Sequence, residues 1–179
     1  IHKIIHNFIK LYKISYKNKP IIIDSRLGFN LLQQPGLLNN FEVFDVVTSK
    51  QDTVWNTVYG EREKVRDNFR EMVVNLKETN KPFRQLNLIF RAYDEGIAFC
   101  YEIPKQVGLD KITISKEITE FRFSKNHTTW TTYRAQDPYE KVNLTDVKNG
   151  CERPLTIQME SGLFISLAEA RLVDYARMK

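Results

Sequence analysis

Leu155-Thr-Ile-Gln-Met-Glu-Ser-Gly-Leu-Phe-Ile-Ser-Leu-Ala-Glu-Ala-Arg-Leu-Val-Asp-Tyr175 is the stretch whose reading decides the fold. Leu155, Ile157 and Met159 alternate with polar residues, Glu160-Ser161-Gly162 supplies a turn, and Leu163, Ile165 and Leu167 alternate on the way back. This is the period of a β-hairpin. Two residues further on the same parity stands Glu169. A carboxylate that follows three apolar positions on one face needs a cationic partner, an arginine or a metal, because an unpaired buried charge is costly. A second reading fits the same residues. Ser166-Leu-Ala-Glu169 matches the S-x-x-E capping box, with Ala170, Leu172, Val173 and Ala176 as a short helix behind it. On that reading Glu169 only caps a backbone N–H.

Outward from the hairpin, the composition suits one domain or part of a larger protein: 179 residues, 42% of them hydrophobic. Ile, Val, Phe, Tyr and Thr are plentiful and Gly and Pro scarce, which favours strands. The net charge is +5, and Lys3, Lys10, Lys13, Lys17 and Lys19 precede the first acid, Asp24. Such a run can attract nucleic acid or an anionic membrane, or it can guard a sheet edge. Elsewhere acids and bases are interspersed, which favours the second use, and neither nucleic acid nor membrane is expected as a partner. Cys100 and Cys151 form no metal spacing and no disulfide framework. Cys100, inside an apolar strand, is expected to be a small buried side chain. The chain begins with Ile, and residues 1–14 form neither a secretory core nor a spanning helix.

In chain order, Tyr12 to Tyr16 and Pro20 to Asp24 read as strands about a turn at Asn18-Lys19, continued by Leu27, Phe29 and Leu31. Phe41 to Val47 reads as a short strand, Trp55 to Glu63 as irregular, and Val65 to Leu76 as a long strand. Leu86 to Tyr93 and Ile97 to Ile103 flank Asp94-Glu95-Gly96 and make the strongest hairpin signal in the chain. Ile112 to Ser115 and Ile118 to Phe123 read as two further strands, and Pro138 to Gly150 as loop. Many short antiparallel strands without a long amphipathic helix predict a β-sandwich or barrel.

Residues that can carry chemistry are few. His2 and His6 have i, i+4 spacing but no third ligand nearby, and His127 reads as a surface residue in a polar turn. No phosphate-cradling loop or nucleophile elbow occurs. Trp130 and Tyr133 can stack on a sugar or a base, or lid the core. Asn126-His-Thr and Asn143-Leu-Thr match the glycosylation triplet, which also arises by chance.

A colinear series of segments resembles glycoside hydrolase family 97, which includes α-glucosidases and α-galactosidases of gut Bacteroidetes. The series runs through Ser25-Arg-Leu-Gly28, Val58-Tyr-Gly-Glu61 and Arg66-Asp-Asn-Phe-Arg-Glu71. It continues through residues 86–102, Glu120-Phe-Arg-Phe123, Tyr139-Glu140, Pro154-Leu-Thr-Ile157 and residues 162–178. The resemblance implies an all-β fold, an antiparallel β-supersandwich of the galactose-mutarotase-like kind. Residues 1–179 would then be a partial N-terminal domain, without the (β/α)8 barrel that carries the catalytic glutamates. It also implies that Glu169 donates one ligand to Ca²⁺, a hard cation suited to carboxylate oxygen, and that the setting is periplasmic or secreted. The implied partners are α-glucoside or α-galactoside oligosaccharides and the barrel itself. Family members usually carry His where Ala168 stands, and Trp-Gly-Glu where Tyr59-Gly60-Glu61 stands. Alone, the chain is expected to lack glycosidase activity and to self-associate through open sheet edges. The rival expectation is a stand-alone carbohydrate-binding β-sandwich that stacks sugars on Trp130 and Tyr133.

Overall fold

The computed structural model describes residues 11–109 and 111–178, so the His2–His6 pair and the first lysines lie outside the described residues. Its residues gather into two compact units, Ile1–Arg122 and Phe123–Lys179.

The first unit holds eight antiparallel strands among the described residues. β1 (Leu11–Tyr16) pairs with β2 (Lys19–Arg26), and β3 (Phe29–Leu31) pairs with β8 (Ile114–Glu117). The largest sheet runs in the order β4 (Phe41–Asn56), β5 (Lys64–Glu78), β6 (Gln85–Ala92), β7 (Ile97–Glu102). The predicted hairpin over residues 86–103 is β6–β7, with Ala92 opposite Ile97. Leu86, Leu88 and Phe90 point inward, as the period of two requires, and are buried beside Val74 and Leu76. Phe99 links rings from several strands: its centroid is 5.6 Å from Tyr12, 5.7 Å from Phe90 and 6.2 Å from Phe121. Each large side chain buried in this way is worth about 1.5–3 kcal/mol. Between β2 and β3, Gly28 has φ +136°, and a Cβ there would lie 2.3 Å from Leu37 O. The tight approach of the Leu37 backbone, which donates to and accepts from Phe29, requires the missing side chain.

Three expectations change here. β4 spans sixteen residues instead of ending at Val47, because its ladder to β5 continues as far as Asn56. Its outer half is exposed on both faces, Val54 and Trp55 included, so hydrophobic alternation could not reveal it. Residues 118–123 are not a strand but meet β2 at an isolated bridge, Ile23–Arg122, and through Glu120, whose N–H donates to Arg26 O at 3.0 Å. Cys100 is exposed, since β7 turns Ile97, Phe99 and Tyr101 inward and Ala98, Cys100 and Glu102 outward.

The second unit is one four-stranded antiparallel sheet. Its order is β10 (Glu140–Asn143), β9 (Thr128–Thr131), β11 (Leu155–Gln158), β12 (Phe164–Leu167). β10 and a 3₁₀ turn at Leu144–Asp146 occupy the stretch read as loop. Only Val142 marks β10 as apolar, and its ladder to Thr129 and Thr131 is what holds it. No long helix occurs among the described residues.

Candidate functional site

The hairpin of β11 and β12 is the one read from sequence. Leu155 faces Leu167, Ile157 faces Ile165, and the turn closes with Met159 N donating to Leu163 O at 2.8 Å. Gly162 takes φ +82° there, a conformation glycine adopts without strain. Val142, Thr129, Ile157 and Ile165 stand side by side on one face. Ile157 and Thr129 on that face are wholly buried, and Thr129 Oγ1 satisfies itself by donating to Val142 O at 3.2 Å.

Parity continues past the end of β12. Leu163, Ile165, Leu167 and Glu169 are partly buried, whereas Phe164, Ser166, Ala168 and Ala170 are exposed. No helix forms over residues 166–176, so the capping-box alternative does not apply. The Glu169 side chain retains 21% of its exposure and lies against Arg153, 14% exposed, with Oε2 2.7 Å from Nε. Glu169 Oε1 accepts from Met178 N at 2.8 Å. Arg153 donates to Met178 O, and Arg177 bonds Glu152 at 2.8 Å, so the last described residues are clasped onto the irregular segment that precedes β11.

The two carboxylate oxygens are not alike. Oε1 has a well-formed hydrogen bond. Oε2 is buried and ion-paired to the guanidinium at 2.7 Å, and it has no hydrogen-bond partner among the described residues. A buried anionic oxygen with unused lone pairs fits one donor position of a hard cation. Among the described residues no three His, Cys, Asp or Glu side chains cluster as a metal site. An ion at Glu169 would need its other ligands from outside the described residues.

The opposite face of the same sheet has a different chemistry. One row across the strands reads Lys141, Trp130, Thr156, Ser166, and the next reads Asn143, Thr128, Gln158, Phe164. The Trp130 and Phe164 rings lean together across β11, with centroids 5.8 Å apart and planes at 37°. Lys141 Nζ lies 5.7 Å from the Trp130 ring. Tyr133, paired with Trp130 in the sequence reading, sits beyond the end of β9, where its hydroxyl accepts from Lys148 N at 3.0 Å. Phe164 takes the place beside Trp130. The signal for it was present, since Phe164 is a large aromatic at a position whose neighbours in parity are polar.

His127 is buried, contrary to the surface reading. It leads into β9 on the inward parity of Thr129 and Thr131, and it packs edge-on to Phe123 at 5.8 Å. Neither ring nitrogen has a hydrogen-bond partner among the described residues.

Residues 6–179 match the family described as Glycosyl-hydrolase 97 N-terminal. Among solved structures, the chain is similar to a Glycoside Hydrolase Family 97 enzyme from Pseudoalteromonas sp. strain K8. A variant of that enzyme in complex with panose superposes with TM-score 0.88 at 34% identity, over 94% of this chain and 26% of that one. The same values hold for the enzyme in complex with acarbose. A β-arabinopyranosidase shares the fold at TM-score 0.79 and 22% identity, over 92% of this chain and 28% of that one. The chain thus spans about a quarter of the length of these relatives.

Proposed function

The chain belongs to the glycosyl-hydrolase 97 N-terminal family, and from that premise we propose that it works as the N-terminal β-sandwich of an α-glycoside hydrolase and lends Glu169 to a shared Ca²⁺ site. Its partner on this reading is a (β/α)8 catalytic barrel, and its substrate class is an α-glucoside or α-galactoside oligosaccharide. The panose and acarbose bound to the Pseudoalteromonas enzyme support the α-glucoside. A periplasmic or secreted setting goes with the same proposal.

The observation that carries the site is the buried Oε2 of Glu169, ion-paired to Arg153 but without a hydrogen bond, at the end of an apolar parity. The chain's own residues prepare that oxygen. β12 aims the side chain, Met178 N holds Oε1, and Arg153 fixes the carboxylate's rotamer from the other side. When bound, Ca²⁺ supplies electrostatic polarisation of the sugar-binding site. With Oε1 hydrogen-bonded and Oε2 ion-paired but without a hydrogen bond, Glu169 is a positioned carboxylate instead of a free one.

Removing the charge tests this. In a polypeptide that joins this chain to a family 97 barrel, Glu169→Gln should raise the Ca²⁺ concentration needed for half-maximal α-glucoside hydrolysis by about tenfold or more, as losses around metal ligands do. An unchanged calcium requirement would sink the assignment.

A further inference from the structure

We propose that the outward face of the β10-β9-β11-β12 sheet is a second carbohydrate-contact surface, separate from Glu169, with the Trp130–Phe164 pair as its stacking platform. It rests on the reading of the chain as part of a sugar-acting enzyme and adds a place where an α-linked glucan chain is held.

The two faces of this sheet differ too sharply for a sheet that merely lids a core. The inward face presents Val142, Ile157, Ile165 and buried threonines. The outward face presents no aliphatic side chain in either register row: it has hydroxyls, amides, one lysine and two aromatic rings. A solvated strand face of ordinary composition carries charges of both signs, yet here Lys141 is the lone charge in the two rows. Phe164 is 57% exposed on a face that gives it no apolar neighbour but Trp130.

Geometry gives the rings a shared role. β9 and β12 are separated by β11, and adjacent strands lie about 4.8 Å apart. Trp130 and Phe164 therefore start roughly two strand spacings apart and lean over Thr156 and Gln158 to reach 5.8 Å. The result is one continuous aromatic shelf. Such a shelf stacks on the C–H face of a pyranose. Gln158 and Thr128 in the adjoining row add an amide and a hydroxyl, and Asn143 at the row's end already donates to Asp146 Oδ2 at 3.2 Å. The shelf lacks the depth and the paired carboxylates that bond cleavage needs, so its task is holding a chain, not cutting it.

The test is a maltoheptaose titration of this chain, with affinity electrophoresis through soluble starch as a second readout. Wild type should bind, and Trp130→Ala and Phe164→Ala should each weaken binding on the order of tenfold, the loss of one stacked aromatic contact. Trp130→Tyr should retain most of it, and near-ultraviolet circular dichroism checks that each variant is folded. Phe164, exposed at the sheet edge, keeps the test alive should Trp130→Ala not fold. EDTA and Glu169→Gln should leave the binding unchanged. No binding by wild type, or binding indifferent to both aromatic substitutions, overturns the proposal. Loss of binding with EDTA or Glu169→Gln overturns it too, because the glycan would then sit at the metal site, and the domain reading would stand. A dimer that dissociates with Trp130→Ala, without glycan binding, assigns the face to protein contact and overturns it as well.

Discussion

Two inward-facing pairs of glutamate and arginine, one in each unit, are built to opposite ends. In the first unit Glu78 and Arg84 are almost wholly buried, 8% and 3% exposed, and every charged atom is used. Arg84 Nε and Nη2 meet the two Glu78 oxygens at 2.8 and 2.5 Å, Nη1 donates to Pro35 O at 2.7 Å, and Nη2 also reaches Gly36 O. Arg84 N adds a further bond to Glu78 Oε2 at 3.0 Å. In the second unit Glu169 and Arg153 are only part-buried, and Oε2, ion-paired to Arg153 Nε at 2.7 Å, has no hydrogen bond among the described residues. A saturated pair fastens a turn; a pair with a spare buried oxygen is open to a third charge. The residue types are the same, and the number of hydrogen bonds that satisfy each carboxylate separates the two pairs.

Breaking the saturated pair should give the largest effect. Arg84→Ala leaves Glu78 charged and alone, and should cost about 3–5 kcal/mol in urea unfolding. Trp55 and Trp130 lie in different units, so fluorescence of a Trp130→Phe background follows the first unit alone. A loss below about 1 kcal/mol, small against that expectation, would mean that the pair is not the fastener described here. Arg153→Ala, the matching change in the second unit, should cost less, roughly 1–2 kcal/mol, because water reaches its partner. Equal costs would erase the contrast between the two pairs.

Alkali should sharpen the contrast from another side. Burial pushes the Tyr101 hydroxyl up to about 12, while its bonds to Thr119 and Gly28 N only partly offset that rise. Burial raises Tyr12 as well. A group whose folded pKa lies above its unfolded value, about 10 for tyrosine, contributes stability that is complete below that value. The contribution is lost as pH climbs through the folded one, so near-ultraviolet circular dichroism should show the first unit loosening from about pH 10 to pH 12. Tyr101→Phe should move that transition to higher pH, and an unmoved transition would count against the assignment. The smallest effect concerns the open edge of β4. Val46, Val47 and Val54 are exposed on a strand with no partner on its outer side among the described residues. Sedimentation should detect self-association that Val47→Lys weakens; a wild-type chain that sediments as a monomer at every concentration would refute it.

The hairpins were legible because a period of two is visible wherever one face is buried: residues 86–103 and 155–167 alternate as written. β4 beyond Val47 and β10 were not legible, since neither buries a continuous face and both exist through their ladders to a neighbour. Glu169 stood out as a carboxylate on an apolar parity, and the structure supplies Arg153 as the cation beside it. That arginine lies sixteen residues earlier, and no local pattern links the two. Cys100 and His127 were misread for one reason, that hydrophobicity of neighbours was used where strand parity was the better guide. Cys100 falls on the outward parity of β7, and His127 on the inward parity that leads into β9.

The spare oxygen of Glu169 is tested most directly by calcium titration calorimetry on a polypeptide that joins this chain to a family 97 barrel, with wild type compared against Glu169→Gln. The amide that this substitution introduces is nearly the same shape as the carboxylate but carries no charge. The calcium dissociation constant should therefore rise about tenfold or more. Identical calcium isotherms for the two proteins would contradict a role for Glu169 as a ligand.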